Sequence, residues 1–289
     1  MGSFFQRSWL FFAIITTVFW GIWGAFIEIP EKAGFPATLG YSVWALTMIP
    51  CALVALYLIG WKLEYDVRSI LLGSTVGLLG AGGQLLLFQA LRSGPAYIVF
   101  PIISLFPIVT IALSTSILKE KASARQWIGI VLALIAVYFL SYQEPENGEG
   151  GSKGWLLFTA LVFLMWGIQA FVMKFSNETM RAESIFFYMM ITGVLLVPVA
   201  LAMTDFTQEI NWGFKGPYLA GGIHVLNSIG ALTLVYAVRY GKSIIVVPMT
   251  GLSPLITVAI SLVIYAVIPD LFLSIGVLVA LVAIFLLSE

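Results

Sequence analysis

The chain has 289 residues, 61% of them hydrophobic and only 10% charged, with a mean hydropathy of +1.04. A soluble domain carries about 25% charged residues, so this composition excludes a soluble globular protein and points to an integral membrane protein. Lys and Arg together number 14 and Asp and Glu together 14, a balance that removes nucleic acid as a partner and leaves the lipid bilayer as the surroundings.

Apolar runs long enough to cross a hydrocarbon core of about 30 Å follow one another near residues 9–27, 38–60, 69–91, 95–118, 125–142, 155–175, 182–203, 216–238, 243–266 and 268–287. Lipid offers the backbone no hydrogen-bond partners, so such segments must be helices. The expected fold is all-α, a polytopic membrane protein of ten transmembrane helices. The first run contains Trp20 and Trp23 and lacks a small-residue cleavage site, so it reads as a span and not a signal peptide. "MGSFFQ" has Gln6 where myristoylation wants Ser or Thr. In the second run, Cys51, the single cysteine, has the apolar setting of a packing residue. "GLLGAGG" at 77–83 is helix packing within the third run, since no strand precedes it as a dinucleotide loop requires. The polar stretch "QEPENGEGGSKG" at 143–154 separates five runs from five, giving a first unit over 1–142, an extracytoplasmic linker over 143–154 and a second unit over 155–289.

Loop Lys and Arg residues set the expected direction. With the N-terminus inside, only Lys32, Arg92, Lys153 and Lys215 of the 14 basic residues fall outside. Both termini are therefore expected in the cytoplasm, in the cell membrane. "NET" at 177–179 then lies in a cytoplasmic loop, where it cannot act as a glycosylation acceptor.

The two units repeat. "ALRSGPAYIVFPIISLFPIVTIALS" at 90–114 aligns without a gap on "AVRYGKSIIVVPMTGLSPLITVAIS" at 237–261, an offset of 147 (239 minus 92). Arg92, Gly94, Pro101, Leu105, Pro107, Thr110, Ala112 and Ser114 meet Arg239, Gly241, Pro248, Leu252, Pro254, Thr257, Ala259 and Ser261. Trp20-Gly21 matches Trp166-Gly167, Pro50 matches Pro198 and Gly129 matches Gly276 at nearly the same spacing. Each unit has an odd number of spans, so the second enters the membrane upside down, the arrangement that transporters use to alternate access around a site between the repeats. Proline leaves the carbonyl four residues earlier without its donor. Pro101, Pro107, Pro248 and Pro254 are thus expected to bend two helices and to serve as kink or gating points, freeing the carbonyls of Tyr97, Ile103, Ile244 and Thr250.

The stretch "ALRSGPAYIVFPIISLFPIVTIALSTSILKEKASARQWIGIVLALIAVYFLS" resembles the repeat unit of the drug/metabolite transporter superfamily, the EamA-like permeases. The resemblance rests on Ala90-Leu91-Arg92, Pro107, Glu120 and Gly129, and in the second unit on Ala237-Val238-Arg239, Pro254 and Gly276; Val267 stands where the second Glu belongs. It implies two inverted five-helix repeats and a permease activity, with substrates across the superfamily ranging over amino acids, sugars, nucleotide derivatives and drugs.

Polar side chains in lipid turn inward, and small residues mark helix contacts. Gly73, Gly77 and Ala81 form a stripe, and Gln84 returns to nearly that face. Trp20, Trp23 and Gly24 share a face of the first span, as Trp166, Gln169 and Ala170 do of the sixth, and His224, Asn227 and Ser228 share one of the eighth. Trp20, Trp23, Gln84, Trp166, Gln169, His224 and Asn227 are the expected substrate-binding residues. Each amide has a competing role as an interhelical hydrogen bond. His224, the one histidine, is the place for a coupling proton, although uncoupled facilitation is the expectation.

No carboxylate stands deep in a span, since Glu28 and Glu120 lie at helix ends. This weighs against cation exchange and favours a neutral or zwitterionic polar metabolite such as a sugar, nucleoside or amino acid. One His and one Cys make no metal cluster, and no paired carboxylates, catalytic triad or phosphate loop is present. No enzyme activity, cofactor or metal is expected. The alternatives are a membrane-embedded enzyme acting on lipid head groups and a multidrug or cation exporter. The protein is expected to work as a monomer or weak homodimer.

Overall fold

The computed structural model describes residues 2–92, 94, 96–141, 154–265 and 270–288. Among them are ten helical stretches long and apolar enough to cross a membrane. The first half consists of α1 (Gly2–Phe26), the short α2 (Glu28–Lys32), α3 (Ala37–Leu58), α4 (Val67–Leu91), α5 (Ala96–Ser104), α6 (Pro107–Ser116) and α7 (Ala124–Ser141). The second half consists of α8 (Gly154–Asn177), α9 (Ala182–Leu195), α10 (Val197–Ala202), α11 (Leu219–Tyr240), entered through a wide turn at Phe214–Tyr218, then α12 (Ser243–Thr250), α13 (Ser253–Tyr265) and α14 (Leu271–Ser288).

The element pairing obeys the repeat. Helix α1 packs on α11 as α4 packs on α8, α3 packs on α11 as α9 packs on α4, and α7 packs on α14 across the pseudo-twofold. Glycines open the seams. A Cβ on Gly21 would lie 2.8 Å from the Ser253 carbonyl oxygen, and one on Gly167 would lie 2.8 Å from that of Phe106. The same approach lets Thr257 Oγ1 donate to the Gly21 carbonyl at 2.9 Å and Thr110 Oγ1 to the Gly167 carbonyl at 2.8 Å. These are two copies of one contact. The stripe Gly73, Gly77 lies against Tyr188, Met189 and Thr192 of α9, so it is a packing surface. At one end of the bundle Asp66 caps α4 by accepting from the Ser69 N–H at 3.1 Å. Nearby, Glu64 Oε2 accepts from the Arg181 N–H at 2.8 Å, joining the halves. Asn177 of the "NET" triplet is buried, its Nδ2 donating to the carbonyls of Met173 and Val235.

The proline-bearing spans are each interrupted near the middle, with helical backbone kept at Phe106 and Gly251. Each is two helices separated by a break, α5 from α6 and α12 from α13. Pro101 and Pro248 lie inside the first pieces, whereas Pro107 occupies the first turn of α6 and Pro254 that of α13. Proline needs no N–H in a first turn, so it is more stable starting a helix than interrupting one. The Ile103 carbonyl, which Pro107 cannot serve, accepts from the Phe106 N–H at 2.9 Å in a tightened turn. The breaks approach each other, a Cβ on Gly251 lying 3.9 Å from Pro107 Cγ.

Candidate functional site

The antiparallel seam of α1 and α11 carries a ladder of polar contacts. Thr16 Oγ1 and Thr233 Oγ1 are 2.8 Å apart, and Thr16 also reaches the Gly230 carbonyl at 3.2 Å. One turn along, Trp20 Nε1 donates to the Asn227 carbonyl at 3.3 Å. A further turn along, Trp23 Nε1 donates to His224 Nδ1 at 3.2 Å, with ring centroids 6.2 Å apart. The indole of Trp20 lies flush on Gly230, where a Cβ would come within 2.5 Å of Trp20 Cδ1. Glycine is required there for that close approach.

The seam of α4 and α8 repeats the design. Trp166 Nε1 donates to the Gly80 carbonyl at 3.3 Å, and a Cβ on Gly83 would lie 2.5 Å from Trp166 Nε1. Gly83 and Gly230 stand 147 apart (230 minus 83), as do Gly80 and Asn227. Gln169 lies over Gly80, where a Cβ would sit 2.3 Å from its Nε2. Gln84 is one turn from Gly80 on the same helix face.

The seven expected binding residues thus fall in two groups. Trp20, Trp23, His224 and Asn227 meet at one seam, Trp166 and Gln169 lie at the other, and Gln84 stands on α4 one turn beyond the Gly80 contact. Trp44 of α3 spans the two. Its Nε1 donates to Asn227 Oδ1 at 2.9 Å, and its ring lies 5.2 Å from that of Tyr41, against a cluster that includes Ala81 and Leu85 of α4. Beside it, Thr47 and Ser228 hydroxyls are 2.9 Å apart. Trp44 carries no internal match in the sequence, because at the offset of Pro50 and Pro198 its repeat position holds Thr192. Gly83 and Gly230 carried a readable signal in their common offset.

The polar inventory defines what this wall offers. The indole N–H groups of Trp20, Trp23, Trp44 and Trp166 are all engaged by protein acceptors, so the rings are fixed in orientation. Gln84, Gln169 and the Nδ2 of Asn227 are half-buried and donate to none of the described residues. His224 is 5% exposed. Because its Nδ1 accepts from Trp23, a neutral ring carries its proton on Nε2, and Nε2 is buried with no partner among the described residues. A Cβ on Gly40 would lie 3.5 Å from it. Among the described residues no three His, Cys, Asp or Glu side chains gather as metal ligands.

The sequence profile of the EamA-like transporter family matches residues 7–142 and again 153–289. The chain belongs to the EamA-like transporter family. Protein LicB of Haemophilus influenzae is 24% identical over 285 residues, covering 89% of this chain and 95% of that protein. Protein RarD of Streptomyces exfoliatus is 23% identical over 254 residues, covering 86% and 75%. An uncharacterized transporter of Archaeoglobus fulgidus is 24% identical over 172 residues, a match spanning 59% of its length. A solved crystal structure superposes with a TM-score of 0.78 at 14% identity, covering 96% of this chain and 95% of that one. At that identity the likeness is one of fold.

Proposed function

We propose that this EamA-family transporter moves a small polar, neutral or zwitterionic metabolite by alternating access, through a pathway lined by Trp20, Trp23, Gln84, Trp166, Gln169, His224 and Asn227. The observation that carries the reading is the set of half-buried amides of Gln84, Gln169 and Asn227, whose N–H donors meet no acceptor among the described residues, amid tryptophans whose own N–H groups are spent. An unpaired polar group in an apolar wall costs free energy until something bonds it. A solute with hydroxyl, carbonyl or carboxylate acceptors supplies that bond, and the fixed indole faces pack its apolar side. No carboxylate is among these seven residues, so no anion of the lining demands a cationic cargo. Pro101, Pro107, Pro248 and Pro254 mark the breaks about which the helix halves swing. The units 1–142 and 155–289 act as the two halves, both termini face the cytoplasm, and the protein works in the cell membrane as a monomer or weak homodimer. Transport proceeds without enzymatic turnover.

One observation favours a second cargo. Trp20, Trp23 and Trp44 are only partly buried, and such indoles attract an organic cation through their ring quadrupoles without any carboxylate. Flux into proteoliposomes separates the two, using a panel of radiolabelled sugars, nucleosides and amino acids beside a quaternary ammonium ion. Gln84→Ala and Asn227→Ala each remove a hydrogen bond to bound solute and should weaken affinity for a neutral solute by about 1–3 kcal/mol. Uptake of the ammonium ion alone, insensitive to both substitutions, would refute the neutral-solute reading. An imposed pH gradient is expected to leave uptake unchanged in wild type and in His224→Gln alike.

A further inference from the structure

The two repeats are alike in sequence but the two ends of the bundle are not alike in contacts. At the end that holds Ser116, Glu120 and Ser243, helix α6 packs on α12, and each belongs to a different repeat. The symmetry mates of these pieces are α13 and α5, and among the described residues they do not pack together in this way. Among the described residues, the close packing of the two repeats is thus seen at the Ser243 end.

A cluster across the repeat boundary holds the shut end. After α6 the chain turns back through Lys119 at φ 56°, a left-handed conformation that a residue with a Cβ rarely adopts. The turn allows the Glu120 N–H to donate to the Ser114 carbonyl at 3.1 Å and aims the Glu120 carboxylate at the start of α12. There Oε1 accepts from the Ser243 N–H at 3.1 Å, and Oε2 accepts from the Ile244 N–H at 3.1 Å and from Ser243 Oγ at 2.9 Å. Ser243 Oγ also lies 2.7 Å from Ser114 Oγ. Lys174 of α8 closes the cluster, with Nζ 3.8 Å from Glu120 Oε1 and donating to the carbonyls of Gly241 at 2.8 Å and Val238 at 3.1 Å. The Glu120 side chain is only 8% exposed. A carboxylate removed from water and bonded to backbone N–H groups at a helix start makes charge-assisted bonds, which are stronger than neutral ones.

In sequence, the repeat counterparts carry none of the charges of this arrangement. Val267 stands 147 after Glu120, Ala96 stands 147 before Ser243, and Glu28, a carboxylate in place of a cation, stands 146 before Lys174. Only Ser114 has a like counterpart, Ser261. Where two states of a transporter differ by which end is shut, bonds present in one state alone bias the population toward it. The second repeat has no carboxylate at the position of Glu120, so the cluster contributes only when its own end is closed.

We propose that Glu120, seated on the first turn of α12 and braced by Lys174 and Ser114, is the latch of a one-sided gate. It holds the end carrying Ser243 closed in the resting protein, and the transport cycle must release it. This rests on the transporter reading above, but it is tested without any solute.

The test places Ile244→Cys, whose parent side chain is fully buried, in a Cys51→Ala background. Labelling by a membrane-impermeant maleimide is then followed from the Ser243 end of oriented vesicles. Labelling should be slow with Glu120 in place and about tenfold faster or more in Glu120→Gln, which turns charge-assisted bonds into neutral ones and loses the attraction of Lys174. Ser243→Ala keeps the charge and should give a smaller rise in the same direction. Spin labels at Ser116→Cys and Lys242→Cys should show one short distance with Glu120 and an added longer one in Glu120→Gln. Equal labelling and unchanged distances in both Glu120→Gln and Ser243→Ala would overturn the latch. So would an equal rise at Met48→Cys, a buried α3 site, since that would report general loosening and not gate opening. A protein that fails in the flux panel yet shows the Glu120 response refutes the transport reading and leaves the latch standing; active flux with no Glu120 response does the reverse.

Discussion

Replacing Gly230 with alanine tests whether the Trp20 and Trp166 seams are built on close approach. The new Cβ would meet Trp20 Cδ1 at 2.5 Å and Nε1 at 2.6 Å, well inside contact distance, so the indole must move. Overpacking of this kind costs about 1–3 kcal/mol. Displacement also forfeits the bond from Trp20 Nε1 to the Asn227 carbonyl, worth about 0.5–1.5 kcal/mol. Against this stands the helix preference of Ala over Gly, about 1 kcal/mol. The net expectation is a loss of about 0.5–3.5 kcal/mol. Gly222 supplies the control, because it lies in the same helix and its Cβ would meet nothing within 4 Å; Gly222→Ala should be neutral or stabilising by up to about 1 kcal/mol. Thermal unfolding of the purified protein in detergent, followed by tryptophan fluorescence, reads both. Gly83→Ala, whose Cβ would press on Trp166 Nε1, should match Gly230→Ala in sign and size. Equal melting temperatures for Gly230→Ala and Gly222→Ala would show that the indole yields freely and that the seam is not a close-packed contact.

Thr110→Val and Thr257→Val each remove one copy of the bond to the glycine carbonyl across the repeat axis, so each should cost about 0.5–1.5 kcal/mol in the same melting assay. A loss at one site only would show that the two contacts are not equivalent. Cysteines at Gly148 and Lys242, in the Cys51→Ala background, should react with an impermeant reagent from opposite sides of the membrane. Reaction of both from one side would end the inverted-repeat topology with cytoplasmic termini.

Much of the fold was legible because lipid imposes simple rules. A backbone without water must be helical, and a helix must be long and apolar enough to cross, so apolar runs alone located ten spans. The offset of 147 between Arg92 and Arg239 likewise revealed the duplication, and an odd span count turned it into an inversion. Of the site, the matched faces of Trp20 with Trp23 and Trp166 with Gln169 were visible as a repeated pattern. Trp44 was not, since the second half holds no counterpart and its role comes from a bond to Asn227 on a helix 183 residues away.

Tertiary structure decided the rest. The prolines located a weak point in each span, but bend or break depends on what the loosened turn packs against. Here Pro107 and Gly251 approach each other, and Pro107 and Pro254 each fall in the first turn of a helix, where the missing N–H costs nothing. Glu120 could be read only as a helix-end residue until the fold brought Ser243, Ile244 and Lys174 to its carboxylate. The deepest limit is symmetry. A repeated sequence describes both ends of the bundle in nearly the same terms. Under the proposed latch, which end closes depends on long-range bonds between repeats, and those need Glu120 and Lys174, whose sequence counterparts are Val267 and Glu28.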